Sequence, residues 1–303
     1  MNYSSGRMLA AMVLLLAAQS CRHQTQTVAS GRFSSDSSAM VVDESMQPIV
    51  DDELYIFKAL NDKVHPRILY APENEAINML LADSVRVALV SRELTPQENK
   101  TLYDHQLRPV TTRFAIDAIA IIVNKVSDDT LITVSEIKKM LNGEAKQDKN
   151  IIFDNPNSGL VRYLKQLSGN SALKQKNIFS LKSNKEVIKY VSSHADAIGI
   201  IGFGWLDDPD KDYADAVNNV KIVAVKDDTG KQAGDQYYTP SQTTLALKQY
   251  PLTRNLYMIN CAGAMSLGME FDFFLRSDRG QRIIEKSGLL PDNIPDRQIN
   301  IVK

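Results

Sequence analysis

The sequence has 303 residues, 44% of them apolar and 23% charged, with 14 glycines and 11 prolines. These proportions exclude a collagen-like, coiled-coil or wholly disordered chain and allow one large two-lobed unit or two ordinary domains. Lys plus Arg number 35 against 36 Asp plus Glu, a formal charge of −1, without any long Lys/Arg run, so the basic footprint of a nucleic-acid binder is missing.

Residues 1–21 read MNYSSGRMLAAMVLLLAAQSC, with Arg7 ahead of an apolar stretch from Met8 to Ala18. As a helix that stretch spans about 16 Å, short of a hydrocarbon core of about 30 Å, so residues 1–20 are expected to be a signal peptide and not a spanning anchor. Ala18-Gln19-Ser20-Cys21 resembles a bacterial lipobox, with Gln19 where the stricter motif has a small residue. The resemblance implies lipid on Cys21 and a periplasm-facing protein anchored to a membrane of the cell envelope. An ordinary secreted protein with a spare thiol is the alternative. Residues 21–40 are rich in Ser, Thr and Gln and poor in large apolar side chains, which predicts a flexible tether.

From residue 41 onward, short β-branched runs alternate with helix-period segments. Strands are predicted at Val85–Val90, Ala118–Val123, Ile151–Phe153, Ala197–Ile201 and Val220–Val225. Their continuous hydrophobicity indicates burial on both faces, and the alternation indicates an α/β fold. Capping-box patterns at Thr95-Pro-Gln-Glu98, Thr133-Val-Ser-Glu136 and Ser183-Asn-Lys-Glu186 open helices, and Ile137, Met140 and Leu141 form the apolar face of the second. A last helix is expected near Phe271–Lys286, with Gly288 as its left-handed stop.

Other constellations point away from catalysis. Cys21 and Cys261 stand far apart, and His23, His65, His105 and His194 are scattered without ligand spacing, so neither a metal nor a cofactor is expected. Gly199-Ile-Ile-Gly202-Phe-Gly204 has the wrong spacing for a dinucleotide fingerprint and reads as a strand end with tight turns. Trp205 reads as packing, with a place at a cleft rim as the alternative, and Cys261 as a buried thiol. Without a nucleophile elbow or triad, an enzyme is not expected.

Seven stretches in order resemble the phosphate-binding component of bacterial ABC transporters, in the divergent lipoprotein form common in Bacteroidetes. They are DESMQPIVDDELYIF (43–57), LVSRELTPQE (89–98), RFAIDAIAIIVNK (113–125), FDNPNSGLVRYL (153–164), ADAIGIIGFGWL (195–206), YPLTRNLYMI (250–259) and GQRIIEKSGLLP (280–291). The resemblance implies a two-lobed periplasmic-binding-protein (type II) fold that closes by a hinge on a ligand in its cleft. Residues 41–113 plus 250–303 would form lobe 1 and 114–249 lobe 2, with crossings near Arg113–Ile119 and Tyr250–Tyr257. It further implies phosphate or a related oxyanion as ligand and ABC permease subunits as partners. Another small anion, such as molybdate, or a role as a cell-envelope sensor or structural partner on the same fold are the alternatives.

A buried oxyanion must exchange its hydration for N–H groups, hydroxyls and usually an arginine, and helix N-termini offer such donors. Ser158-Gly159 corresponds to the Ser-Gly of the family's Ser-Gly-Thr ligand loop, with Leu160 in place of the threonine; read alone, Ser158 only caps a helix. Ser45-Met46 matches the family's first ligand loop, where a hydroxyl and the next backbone N–H meet the anion; read alone, Ser45 is a loop serine. The family's phosphate-specific members have an aspartate at about Arg92 and an arginine at about Asp154, so this sequence exchanges the two charges. Read alone, Arg92 pairs with Glu93 or Glu98. A carboxylate at Asp154 can accept the proton of monohydrogen phosphate and repel sulfate. Glu73 and Asn74 could add a further cleft loop.

Overall fold

The computed structural model describes residues 39–144, 149–230 and 235–294. The expected signal peptide, Cys21 and nearly all of the expected tether lie outside the described residues. The tether's last residues, Ala39 and Met40, are instead buried in the first strand, because the polar run ends at Ser38 and Met40 joins an apolar cluster.

The first block of the fold comprises the parallel strands β1 (Ala39–Asp43), β2 (Arg67–Ala71) and β3 (Val87–Val90), followed in turn by α1 (Gln47–Leu60), α2 (Glu73–Leu81) and α3 (Pro96–Asp104). All residues of β1 and β3 are buried. Side chains alternate between the two faces of a strand. Met40, Val42, Val87 and Leu89 therefore cluster with Leu54 and Phe57 of α1, while Val41, Ala88 and Val90 cluster with Ile77, Leu80 and Leu102 of α2 and α3.

Next come β4 (Val110–Asn124), β5 (Leu131–Thr133), α4 (Val134–Asn142), β6 (Asn150–Phe153), α5 (Gly159–Ser168), β7 (Ile178–Ser180), α6 (Asn184–Ser193) and β8 (Ala197–Gly202). The chain continues through α7 (Ala214–Val217), β9 (Val220–Ile222), β10 (Ala224–Lys226), α8 (Gln242–Ala246), β11 (Thr253–Asn260), α9 (Leu267–Arg276), α10 (Asp278–Lys286) and β12 (Leu290–Pro291). One curled sheet runs β2-β1-β3-β11-β4-β8-β6-β7, with β9 and β12 also on β4, and β5 pairs with β10 separately.

β4 is the link, because its 15 residues serve both blocks. Val110 through Ala118 pair antiparallel with β11, and Ile119 through Val123 pair with β8. In the second block β8, β6 and β7 are parallel. Ile119, Ile121 and Val123 cluster with Ile137 and Leu141 of α4 and Leu160 and Leu164 of α5; Ala120 and Ile122 face Val187, Ile188 and Val191 of α6.

Three expectations are refined. Thr95 and Thr133 close full capping boxes, but at Ser183 only half forms, because the Glu186 carboxylate accepts from Lys182 N. The Val220–Val225 run divides where Val223 N still donates to Ile121 O of β4 while Ala224 N donates to Thr130 O. The last helix is two: Ser277 ends α9 and caps α10, its Oγ accepting from Gly280 N, and Gly288 follows with φ +77°.

Candidate functional site

Ligand residues in open α/β sheets sit at the carboxyl ends of parallel strands. Here those ends supply Asp43 at the close of β1 with Glu44 and Ser45 after it, Glu73 after β2, Ser91 after β3, Asp154 after β6 and Gly202 at the close of β8. Asp43, Ser45, Glu73, Ser91 and Asp154 are all buried.

Ser158 caps α5. Its Oγ accepts from Val161 N at 3.1 Å and donates to Asp154 Oδ1 at 2.5 Å. Asn184 Nδ2 donates to Asp154 Oδ2 at 3.0 Å and to Glu44 Oε2 at 3.2 Å, while Asn184 Oδ1 accepts from Gly202 N at 3.0 Å. Leu160, in the place of the family's threonine, turns into the apolar cluster of the second block.

The next residue of α5 reaches across to the first block. Gly159 N donates to Asp43 Oδ2 at 3.3 Å, and Asp43 Oδ1 accepts from Ser45 N at 3.1 Å. Ser45 Oγ accepts from Arg254 Nη1 at 3.0 Å, and Arg254 also grips Asp117 Oδ2 through Nε at 2.9 Å and Nη2 at 2.7 Å. Trp205 is buried as packing predicts, and its Nε1 donates to Ser45 O at 3.0 Å. The Met46 side chain lies in the first block's apolar cluster.

Glu73 is the third centre. Its Oε2 accepts from Ser91 N at 2.9 Å and Ser91 Oγ at 2.6 Å, and its Oε1 accepts from Arg162 Nε of α5 at 2.5 Å. Arg162 Nη2 also donates to Ser91 O at 3.1 Å and Ser91 Oγ at 3.0 Å. Asn74 N donates to Asn157 O at 3.2 Å. Arg92 forks onto both oxygens of Glu98 at 2.7 Å, with Nε 3.8 Å from Glu73 Oε1. Arg92 is thus held by Glu98 and Glu73, and Asp154 by Ser158 and Asn184.

Gly159 has no room for a side chain. A Cβ there would lie 2.6 Å from Asp43 Oδ2, 2.7 Å from Glu73 Oε2 and closer still to Ser91 Oγ. Burial, strengthened by the charge of Glu73, pushes the Asp43 carboxyl up to about 6. Burial likewise pushes Asp154 to about 7, and burial with the charge of Asp154 pushes Glu44 to about 8. At Glu73 burial acts in the same direction, but the bonds from Arg162 and Ser91 outweigh it and hold the carboxyl below its ordinary range.

Sequence reading missed Asp43, Glu44, Asp117, Arg162, Asn184 and Arg254. All but Asn184 stand within the stretches that carried the resemblance, but each has a partner remote in sequence. A separate cavity of about 320 Å³, floored by Ile121, Ile132, Ile151 and Val223, is lined by none of these site residues. Among the described residues no group of His, Cys, Asp or Glu is arranged to hold a metal ion, and no helix is long and apolar enough to cross a membrane.

The family model for a PBP superfamily domain matches residues 27–279. The chain belongs to the PBP superfamily. This superfamily assignment agrees with the resemblance of the seven stretches and with the mixed α/β architecture. Among curated proteins, the phosphate-binding protein PstS of Borreliella burgdorferi is 26% identical over 265 residues, covering 81% of this chain and 86% of the relative. A protein from Clostridium perfringens, described as a phosphate ABC transporter substrate-binding protein and crystallised with bound phosphate, superposes with a TM-score of 0.69 at 19% identity, covering 84% of this chain and 99% of the other. An ABC-type phosphate transport receptor from Vibrio cholerae gives 0.61 at 19% identity, covering 83% and 98%. These structures share the PBP superfamily fold of this chain.

Proposed function

We propose that this protein is an extracytoplasmic solute-binding lipoprotein that takes inorganic phosphate, or a related oxyanion, into its cleft and delivers it to an ABC permease. In this reading residues 41–113 plus 250–303 form one lobe and 114–249 the other, with β4 and β11 as the crossings and Cys21 as the lipid anchor. The protein binds and releases its ligand without catalysis.

The observation that carries the reading is the position of Ser158-Gly159. The N-terminus of α5 stands at the carboxyl end of β6 and faces Asp43, Glu73 and Ser91 from the ends of β1, β2 and β3. A helix start concentrates unpaired N–H groups and a favourable dipole for an anion, and strand ends from two blocks can close on it. The names of the phosphate-binding relatives agree with such a ligand.

The ligand set we propose is Ser45, Met46, Arg92, Asp154, Ser158 and Gly159. Met46 and Gly159 offer backbone N–H groups, Ser45 and Ser158 hydroxyls, Arg92 a guanidinium, and Asp154 an acceptor for a phosphate proton. A micromolar site needs about 8 kcal/mol, and a charge-assisted hydrogen bond yields about 1.5–3 kcal/mol, so backbone donors must share the work with the side chains.

The test is calorimetric titration of protein stripped by partial unfolding and refolding, with phosphate against sulfate, molybdate and arsenate. A one-to-one phosphate isotherm that sulfate does not displace supports the reading. Silence with all four anions refutes it and turns attention to organic anions or to a cell-envelope sensor or structural role.

A further inference from the structure

Donors suited to a tetrahedral anion are already matched to carboxylate oxygens of the chain itself. Gly159 N serves Asp43, while Ser91 N, Ser91 Oγ and Arg162 Nε all serve Glu73. Carboxylates and phosphate oxygens ask for the same donors in the same geometry. Asp43 Oδ2 and Glu73 Oε2 crowd the α carbon of Gly159 so closely that not even a methyl group fits there. An anion accepting from Ser91 and the start of α5 therefore has to take the place of one of these carboxylates.

Glu73 is the one equipped to move. It is wholly buried, its strongest partner Arg162 comes from the opposite block, and a second guanidinium lies beside it: Arg92, forked onto Glu98, has its Nε 3.8 Å from Glu73 Oε1. A displaced buried carboxylate needs another counter-charge, since an unpaired one is strongly destabilising. Arg92 supplies that charge within a short side-chain rotation.

We propose that Glu73 is an internal competitor for the anion site, so that Arg162 and Ser91 pass from Glu73 to the bound anion while Glu73 turns to Arg92. This rests on the oxyanion reading above. On this inference Arg162 takes the ligand-guanidinium role that the set above gives to Arg92, and Arg92 acts through Glu73 as a positioning residue. The competition sets affinity below what the donors alone would give and returns the donors to an internal partner when the anion leaves.

The experiment is phosphate titration of the full chain at pH 8, with thermal unfolding recorded for each variant. Glu73→Gln removes the competing charge and should tighten phosphate binding about tenfold, the equivalent of about 1.4 kcal/mol. Arg162→Gln should weaken it at least as much, and the double variant E73Q/R162Q, which leaves no unpaired buried charge, should bind more weakly than E73Q alone. A purely structural Glu73 predicts the opposite sign for E73Q. A folded E73Q with equal or weaker affinity overturns the proposal; if E73Q does not fold, wild-type affinity in R162Q overturns it equally. If the wild type takes no phosphate, the oxyanion reading falls and this inference with it, an outcome the wild-type titration alone identifies.

Discussion

Arg254 of β11 and Asp117 of β4 are register partners in the sheet and also the two ends of a buried ion pair, closed by hydrogen bonds of 2.9 and 2.7 Å. They sit where β4 changes neighbour, since Ala118 still pairs with Thr253 but Ile119 pairs with Gly202. The remaining guanidinium nitrogen donates to Ser45 Oγ, so the pair ties the loop after β1 to the strands that link the two blocks. Removing one partner of such a pair costs about 3–5 kcal/mol, whereas replacing both with apolar residues is often nearly neutral. Urea unfolding should therefore show Asp117→Leu losing stability of that order and the double variant D117L/R254M recovering most of it. Phosphate affinity should stay low in the double variant, because Ser45 has lost its tether. A single variant as stable as the wild type would refute the buried-pair argument.

Gly159→Ala separates folding from closure. In an α-helix alanine is favoured over glycine by about 1 kcal/mol, so α5 itself gains. The added Cβ nevertheless strikes oxygens of Asp43, Glu73 and Ser91, all on the opposite block. The variant is expected to keep a cooperative thermal transition, to show a larger radius of gyration in solution scattering, and to lose at least about tenfold in phosphate affinity, or about 1.4 kcal/mol. Unchanged affinity and radius would mean that the blocks do not meet at Gly159.

What could be read from the sequence was what depends on near neighbours. Runs such as Val85–Val90 and Ala197–Ile201 announce two-sided burial by their own hydrophobicity, and β3 and β8 are buried throughout. Glu98 lies only six residues from Arg92, so that pairing was open to view. Arg162 bonds to Glu73 across 89 residues and Arg254 to Asp117 across 137. Nothing local distinguishes such an arginine from one on a solvated face. The same holds for the single last helix expected near Phe271–Lys286, because the break at Ser277 needs only a serine able to end one helix and cap the next.

Asp154 should make anion preference depend on pH. Burial raises its carboxyl to about 7. Well above that pH the carboxylate can accept a proton from monohydrogen phosphate but repels sulfate; below it, the carboxylic acid can donate to either anion. Competition titrations should show the phosphate-to-sulfate affinity ratio shrinking as pH falls from about 8 to about 5.5. In Asp154→Asn the ratio should be small and change less across that range, keeping only the slope that phosphate's own titration imposes. A variant that kept the wild-type preference would remove Asp154 from the ligand set.

Glu53 concerns stability alone. It is fully buried on α1 beside Val50, Leu54 and Phe57, and neither carboxylate oxygen has a hydrogen-bond partner among the described residues. Burial, with a smaller push from the charge of Asp52, raises its carboxyl to about 9. In an unfolded chain a glutamate titrates near 4.3. Between about pH 4.3 and about 9 the folded state thus holds a proton that the unfolded state releases, so this group's contribution to stability is complete below the window and is lost as pH rises through it. Glu53→Met fills similar space without a titrating group. It should be more stable than the wild type by on the order of 3 kcal/mol at pH 7. Its stability in urea should also decline less steeply from pH 5 to pH 8.5, a range chosen to lie within that window. Asp43, Glu44 and Asp154 titrate in both proteins, so the difference between the two slopes isolates Glu53; equal slopes would show that its carboxyl is charged and partnered in solution.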